Sequence, residues 1–210
     1  MCTYTSPNNS GDQSFGHGLP AKPDFALVKN RDSSYNWDIY HSSLGYNASL
    51  IFTGAGTRSG AFSGEPTSTV IQTKHDYTHI NTDDYIAYCW TAIEGYSHFG
   101  TYIGNGAGGY PNANGPFVYT GMRPAFVLIK AISGTENWVL YDTARSTFNW
   151  LDDQLYPNAN TAETSGSNRE IDVYANGFKI KSNSGQLNTN DATYAYAAFA
   201  ERPFKTARAR

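Results

Sequence analysis

An antiparallel β-sandwich or jelly roll, built twice within one chain, is the fold this sequence predicts. Composition, a patterned hairpin and an internal repeat each point to it. Among 210 residues, aromatics make up 15% and charged residues 16%, with 16 Tyr and 20 Gly. Charge is well below the roughly 25% typical of soluble domains. Tyr, Thr, Val and Phe fit pleated, half-buried surfaces, while Gly and Asn supply turns. The balance predicts many short strands.

The hairpin lies at residues 171–181. Asn176-Gly177 suits a two-residue turn with positive φ at both positions. That register pairs Ala175 with Phe178 and Val173 with Ile180. It gathers Ile171, Val173, Ala175, Phe178 and Ile180 on one apolar face and turns Tyr174, Lys179 and Lys181 the other way. Burial on one side is what a two-sheet packing needs.

The repeat is the most informative feature. An offset of 101 residues separates Pro23 from Pro124, Phe25 from Phe126, Lys29 from Lys130, Trp37 from Trp138 and Tyr40 from Tyr141. Thr3-Tyr4 matches Thr101-Tyr102, and Gly18-Leu19 matches Gly121-Met122. Asn81-Thr82-Asp83-Asp84-Tyr85 matches Asn188-Thr189-Asn190-Asp191, followed by Tyr194. Matched blocks in one order divide the chain into a first repeat, residues 1–99, and a second, residues 100–210. Two copies of this length are not a solenoid. The sequence leaves open whether they form two sandwiches or one unit with pseudo-twofold symmetry.

Within the repeats, residues 126–129 form a continuous apolar run, as expected of a strand buried on both faces. Residues 85–93 and 194–200 are similar, and their Tyr content favours strand over helix.

The net charge is −3, and no basic stripe marks a nucleic-acid face. The one basic cluster is the tail Lys205, Arg208 and Arg210, read as a solvated or docked terminus. No apolar segment is long enough to cross a bilayer, and no charged-then-apolar leader is present. Cys2 and Cys89 have no metal spacing. A disulfide between them lacks support in the sequence, and Cys89 reads as a small packed hydrophobe.

No catalytic constellation stands out, and no catalytic or metal residue is assigned. His75 and His79 are four apart but sit in a stretch that reads as strand or loop, where a helical zinc pair cannot form. Asp83, Asp84, Asp152, Asp153, Glu163 and Glu170 are the carboxylates a glycosidase would draw on; as loop charges they read as solvated. The turns at residues 81–84 and 188–191 suit calcium ligation, but Asx residues also cap their own turns. Calcium is thus the one cofactor entertained, and the structural reading of those turns is preferred.

Exposed aromatics in a low-charge surface rich in Tyr, Asn and Ser suit ligand stacking. Trp37 and Trp138 recur in both copies together with Tyr40 and Tyr141. Members of each pair are three apart and face opposite sides of a strand, so one of each is expected in the core, with the Trp preferred. Trp150 and Tyr110 have no repeat partner and are the better surface candidates. The ligand-binding set is therefore Trp150, Tyr110, Trp37 and Trp138.

Several blocks resemble one family over nearly the whole chain. They are Gly16-His17-Gly18-Leu19, Asn36-Trp37, Ala87-Tyr88-Cys89-Trp90, Gly100-Thr101-Tyr102-Ile103-Gly104, Arg123-Pro124, Asn137-Trp138, Ala175-Asn176-Gly177-Phe178 and Ala197-Ala198-Phe199-Ala200-Glu201. The sequence resembles a lectin-like domain of tailed-bacteriophage structural proteins, found at the ends of tail fibres and related appendages. The resemblance implies a non-enzymatic virion protein, made in the host bacterial cytoplasm, that contacts other virion subunits or host-surface glycans. It also implies a homo-oligomer, a trimer being one form. It brings no catalytic or binding residues with it. No heptad stalk precedes the first block, so attachment through the domain's own surface is expected. A capsid decoration protein and a polysaccharide-degrading enzyme are the alternative expectations.

Overall fold

In a computed structural model of the chain, the described residues are 1–9, 11–52, 56–107 and 114–201. None of them is helical, and every pair of strands is antiparallel. The chain forms two compact units, Met1–Thr91 and Ala92–Arg210. The division falls ahead of the β9 strand (Ser97–Ile103), within which the expected boundary after residue 99 lies.

The first unit holds β1 (Cys2–Thr5), β2 (Gln13–Gly16), β3 (Phe25–Asn30), β4 (Asp38–His41), β5 (Ala48–Ile51), β6 (Thr57–Ser59), β7 (Val70–Thr73) and β8 (Asp84–Trp90). One sheet runs β1-β8-β3-β4-β5-β6, and β2 pairs with β7. Alternate residues from both sheets meet in one apolar cluster: Phe15 and Ile71 from the pair, and Ala26, Val28, Tyr40, Tyr85 and Ala87 from the larger sheet. That is a sandwich, its core set by the period-2 alternation of side chains.

The second unit holds β9, β10 (Phe117–Tyr119), β11 (Pro124–Ala131), β12 (Val139–Asp142), β13 (Ile171–Tyr174), β14 (Gly177–Ile180) and β15 (Thr193–Ala200). Its sheets run β12-β11-β15-β9 and β10-β14-β13. Val127, Ile129, Tyr141, Tyr194 and Tyr196 from the first meet Val118, Ile171, Val173, Phe178 and Ile180 from the second. Here too two sheets face each other across one core.

The pairing scheme recurs register for register. Tyr4 faces Tyr85 and Tyr102 faces Tyr194; Ala26 faces Tyr40 and Val127 faces Tyr141; Phe15 faces Ile71 and Val118 faces Phe178. Stacked rings fill the same position in each core. Tyr4 lies on Tyr85 with centroids 5.0 Å apart, and Tyr102 on Tyr194 at 4.9 Å. Gly18 and Gly121 both take positive φ, 70° and 72°, a conformation that glycine adopts without a Cβ penalty.

The hairpin register differs from the expected one. Val173 faces Phe178 and Tyr174 faces Gly177, so Ala175-Asn176 is the turn. Neither Asn176 nor Gly177 takes positive φ. Gly177 serves a different purpose, because a Cβ there would stand 2.2 Å from the Val118 carbonyl oxygen of β10. The third strand selects the glycine and the register moves with it. Ile171, Val173, Phe178 and Ile180 still face inward, but Ala175 is exposed.

Candidate functional site

The outward face of β10-β14-β13 is the most unusual surface of the second unit. Phe117 and Tyr119 are 47% and 63% exposed, and Tyr174 of β13 is 40% exposed. All three sit on residues whose strand neighbours, Val118 and Val173, point into the core, so alternation forces them outward. Phe117 and Tyr174 meet edge to face, with centroids 5.7 Å apart. Gly177, between Tyr119 and Tyr174 in the pairing, adds no side chain to that surface.

Trp150 extends this face. The segment before it is tied to β13 by the Val173 N–H, which donates to Asn149 Oδ1 at 2.8 Å. On its other side, Leu151 pairs with Ile171. Leu151 is buried, whereas Trp150 is 43% exposed at the edge of β13. Polar groups border the rings. Tyr174 Oη donates to Asp172 Oδ2 at 3.2 Å, and Lys179 Nζ donates to Asn114 Oδ1 at 2.6 Å. Desolvation, reinforced by the Asp172 charge, holds the Tyr174 phenol above its usual pKa.

Tyr119 also walls a pocket of about 330 Å³ with Glu94, His98, Thr120 and Gly121. The His98 ring stacks on Tyr196 at 5.9 Å, and the two share a hydrogen bond of 2.9 Å at Nδ1. Tyr119 thus joins the exposed ring face to a small cavity lined by a carboxylate, an imidazole and hydroxyls. Such a surface can stack a ring and hydrogen-bond its substituents.

The other aromatic candidates fall elsewhere. Trp138 is 2% exposed and presents no face to a ligand, so its ligand role is withdrawn. Its partner Tyr141 is buried as well, in the core cluster with Val127 and Val139. Trp37 is half-buried between Phe52 and Tyr88. Tyr110 and the basic tail at Lys205, Arg208 and Arg210 lie outside the described residues.

The acidic and imidazole candidates are engaged in local bracing. Asp83 accepts from Asn30 and Asp84 from Thr5. Asp153 accepts from Ser146, and Asp152 from the Gly166 N–H. Glu163 pairs with Arg145, and buried Glu170 accepts the N–H groups of Asn168 and Arg169. His75 and His79 are bridged, their rings 5.5 Å apart. Among the described residues, no three His, Cys, Asp or Glu side chains are placed to hold a metal ion.

Sequence reasoning missed Phe117 and Tyr119, although the signal was present. The repeat offset that joins Gly18 to Gly121 places Ser14 and Gly16 opposite them. Absence of a repeat partner, the criterion that singled out Trp150, applies equally to these two.

Neither the curated proteins nor the solved structures gave a match. A family model described as a domain of unknown function, DUF7483, matches residues 1–203, and the chain belongs to that family.

Proposed function

We propose that this protein is a virion component of a tailed bacteriophage, of tail-fibre or appendage type, that binds host-surface glycan through the second unit. The reading is non-enzymatic: the protein acts by presenting a surface. The aromatic face of β10-β14-β13 carries the proposal. The corresponding strand of the first unit, β2, bears Ser14 and Gly16 where this face has Phe117 and Tyr119. Rings that the core scheme does not require, placed in water, point to selection for contact. Their flanking Asp172, Lys179 and Asn114 supply the hydrogen bonds that a polyhydroxylated ring needs alongside stacking. The pocket at Tyr119 matches the lower end of small-ligand cavities, which begin at roughly 300 Å³, and suits one sugar residue at a chain end. The sequence resemblance to phage appendage domains supports the setting.

The test is binding of purified protein to host cells and to extracted surface polysaccharide, followed by competition with infecting phage. Saturable glycan binding, weakened at least tenfold by Tyr174→Ala or Trp150→Ala with the fold intact, supports the reading. Binding that survives both substitutions removes the aromatic face from it. Copurification with tail-less heads and no affinity for cells would favour a capsid decoration protein. Shortening of the polysaccharide would make the protein an enzyme.

A further inference from the structure

In the first unit, two thiols share one corner of the core. Cys2 on β1 lies opposite Ala87 of β8, and Cys89 is two residues further along β8. Side chains two apart on a strand share a face, so both cysteines enter the same apolar cluster, Cys89 buried and Cys2 half-buried. Both are free thiols. Cys2 Sγ lies 3.8 Å from the Ala87 carbonyl oxygen, on the side of β8 that carries Cys89.

The second unit shows why this corner has room. At the same register positions stand Gly100, Tyr196 and Ala198. There the Tyr196 ring fills the space, and a Cβ on Gly100 would come within 2.7 Å of its hydroxyl. In the first unit Ala87 stands in place of that ring, opposite Cys2, with Cys89 in the core cluster and Cys2 packed against it.

We propose that Cys2 and Cys89 form a cross-strand disulfide that fastens β1 to β8 when the protein meets a disulfide oxidant such as oxidised glutathione. The Cys2 thiolate attacks one sulfur of the oxidant, forms a mixed disulfide and expels one glutathione thiolate. Cys89 then loses its proton and attacks Cys2 Sγ. The second glutathione thiolate leaves, and the two cysteine protons end on the two glutathione thiols. Two protein thiols are oxidised and one external disulfide is reduced. The environment fits this order. Cys2 is the more exposed sulfur, and its Cys89 neighbour draws it down to about 7 while Cys89 itself is pushed up, so Cys2 is the nucleophile.

Diagonal neighbours on adjacent strands start slightly wide of disulfide geometry. Among the described residues β1 is the edge of its sheet and pairs with β8 alone, and it can close that gap without breaking a second ladder. This inference is independent of the glycan reading.

The experiment exposes the reduced full-length protein to oxidised glutathione and follows it by intact mass, peptide mapping and thermal unfolding. A loss of about 2 Da, a Cys2–Cys89 linked peptide and a midpoint raised by about 5–15 °C are expected. Dithiothreitol should reverse all three. Cys2→Ser should show no rise, and Cys89→Ala should retain one glutathione on Cys2. Persistent glutathione adducts on the wild type, disulfide-linked dimers, unreacted thiols, or an equal rise in Cys2→Ser would each overturn the proposal.

Discussion

Gly177 of β14 and Val118 of β10 meet backbone to backbone, so closely that a Cβ on Gly177 would lie 2.2 Å from the Val118 carbonyl oxygen. The obstacle is main chain within a paired strand and cannot swing aside. Gly177→Ala should therefore cost about 1–3 kcal/mol, the range for overpacking, read as a lower urea midpoint. Asn176→Ala, in a turn without positive φ, should cost less than about 0.5 kcal/mol. A turn centred on Asn176-Gly177 would bring the two costs together.

Tyr40 and Tyr141 hold the same register position but spend their hydroxyls differently. Tyr141 Oη donates to the Arg169 carbonyl and accepts from Gln154 Nε2, all within the interior. Tyr40 Oη donates to Glu65 at 2.7 Å, where the carboxylate reaches solvent. Removing the buried hydroxyl loses two interior hydrogen bonds, though Gln154 Nε2 still donates to the Arg169 carbonyl at 3.2 Å, so the cost is about 0.5–1.5 kcal/mol. Tyr141→Phe should lower stability by that amount, and Tyr40→Phe by less than half of it, since water can serve Glu65. Equal losses in urea titrations would contradict this account.

Stability should fall as pH rises through about 6. Burial pushes the Asp38 carboxyl up to about 6 from 3.8, against the opposing pull of Arg58, 2.5 Å away, and of Lys29. The folded state thus holds the Asp38 proton more tightly than the unfolded chain does. Ionising this side chain costs stability that is fully present below pH 4 and lost by pH 7, about 3 kcal/mol at 1.36 kcal/mol per pKa unit. Asp142 and Glu65 act in the opposite sense. Burial raises each, but hydrogen bonds from Arg145 to Asp142, and from Lys22 and Tyr40 to Glu65, hold both below their usual values. Their contribution is present above about pH 4.5 and fades as pH falls. Greatest stability is expected near pH 4–5, where little of the Asp38 contribution is lost and the two carboxylates are largely ionised. Asp38→Asn should flatten the slope between pH 4 and 7, measured as the urea midpoint at each pH.

Recognition and stability should separate on the aromatic face. Phe117→Ser with Tyr119→Ser gives the second unit a polar surface like that of the first, which has Ser14 and Gly16 there. Both rings are about half exposed, so the pair should change folding stability by less than about 1 kcal/mol. Glycan binding should fall more than tenfold, as loss of two stacking faces requires. Isothermal titration with host polysaccharide, beside thermal unfolding, reads both effects.

The all-β class, the antiparallel pairing and most of the inward-facing residues were legible in the sequence, because alternation and turn composition act locally. Phe25, Phe126, Tyr40 and Tyr141 announced equivalent strands through one offset. Ile171, Val173, Phe178 and Ile180 announced a common face. That face survived a wrong turn assignment, since the register moved by a whole pleat period on the hairpin's inner positions and left their sides unchanged.

Tertiary structure decided what depends on a third partner. Gly177 is fixed by β10, a strand more than fifty residues away in the chain, and not by the turn it was expected to make. Trp138 and Trp150 are alike by composition. Trp138 is closed off in the interior just ahead of β12, while Trp150 is left about half exposed beside β13, a difference set by which surfaces long-range packing covers. Local pattern determines which way a side chain points relative to its neighbours. Only the assembled layers determine whether that direction ends in core or in water.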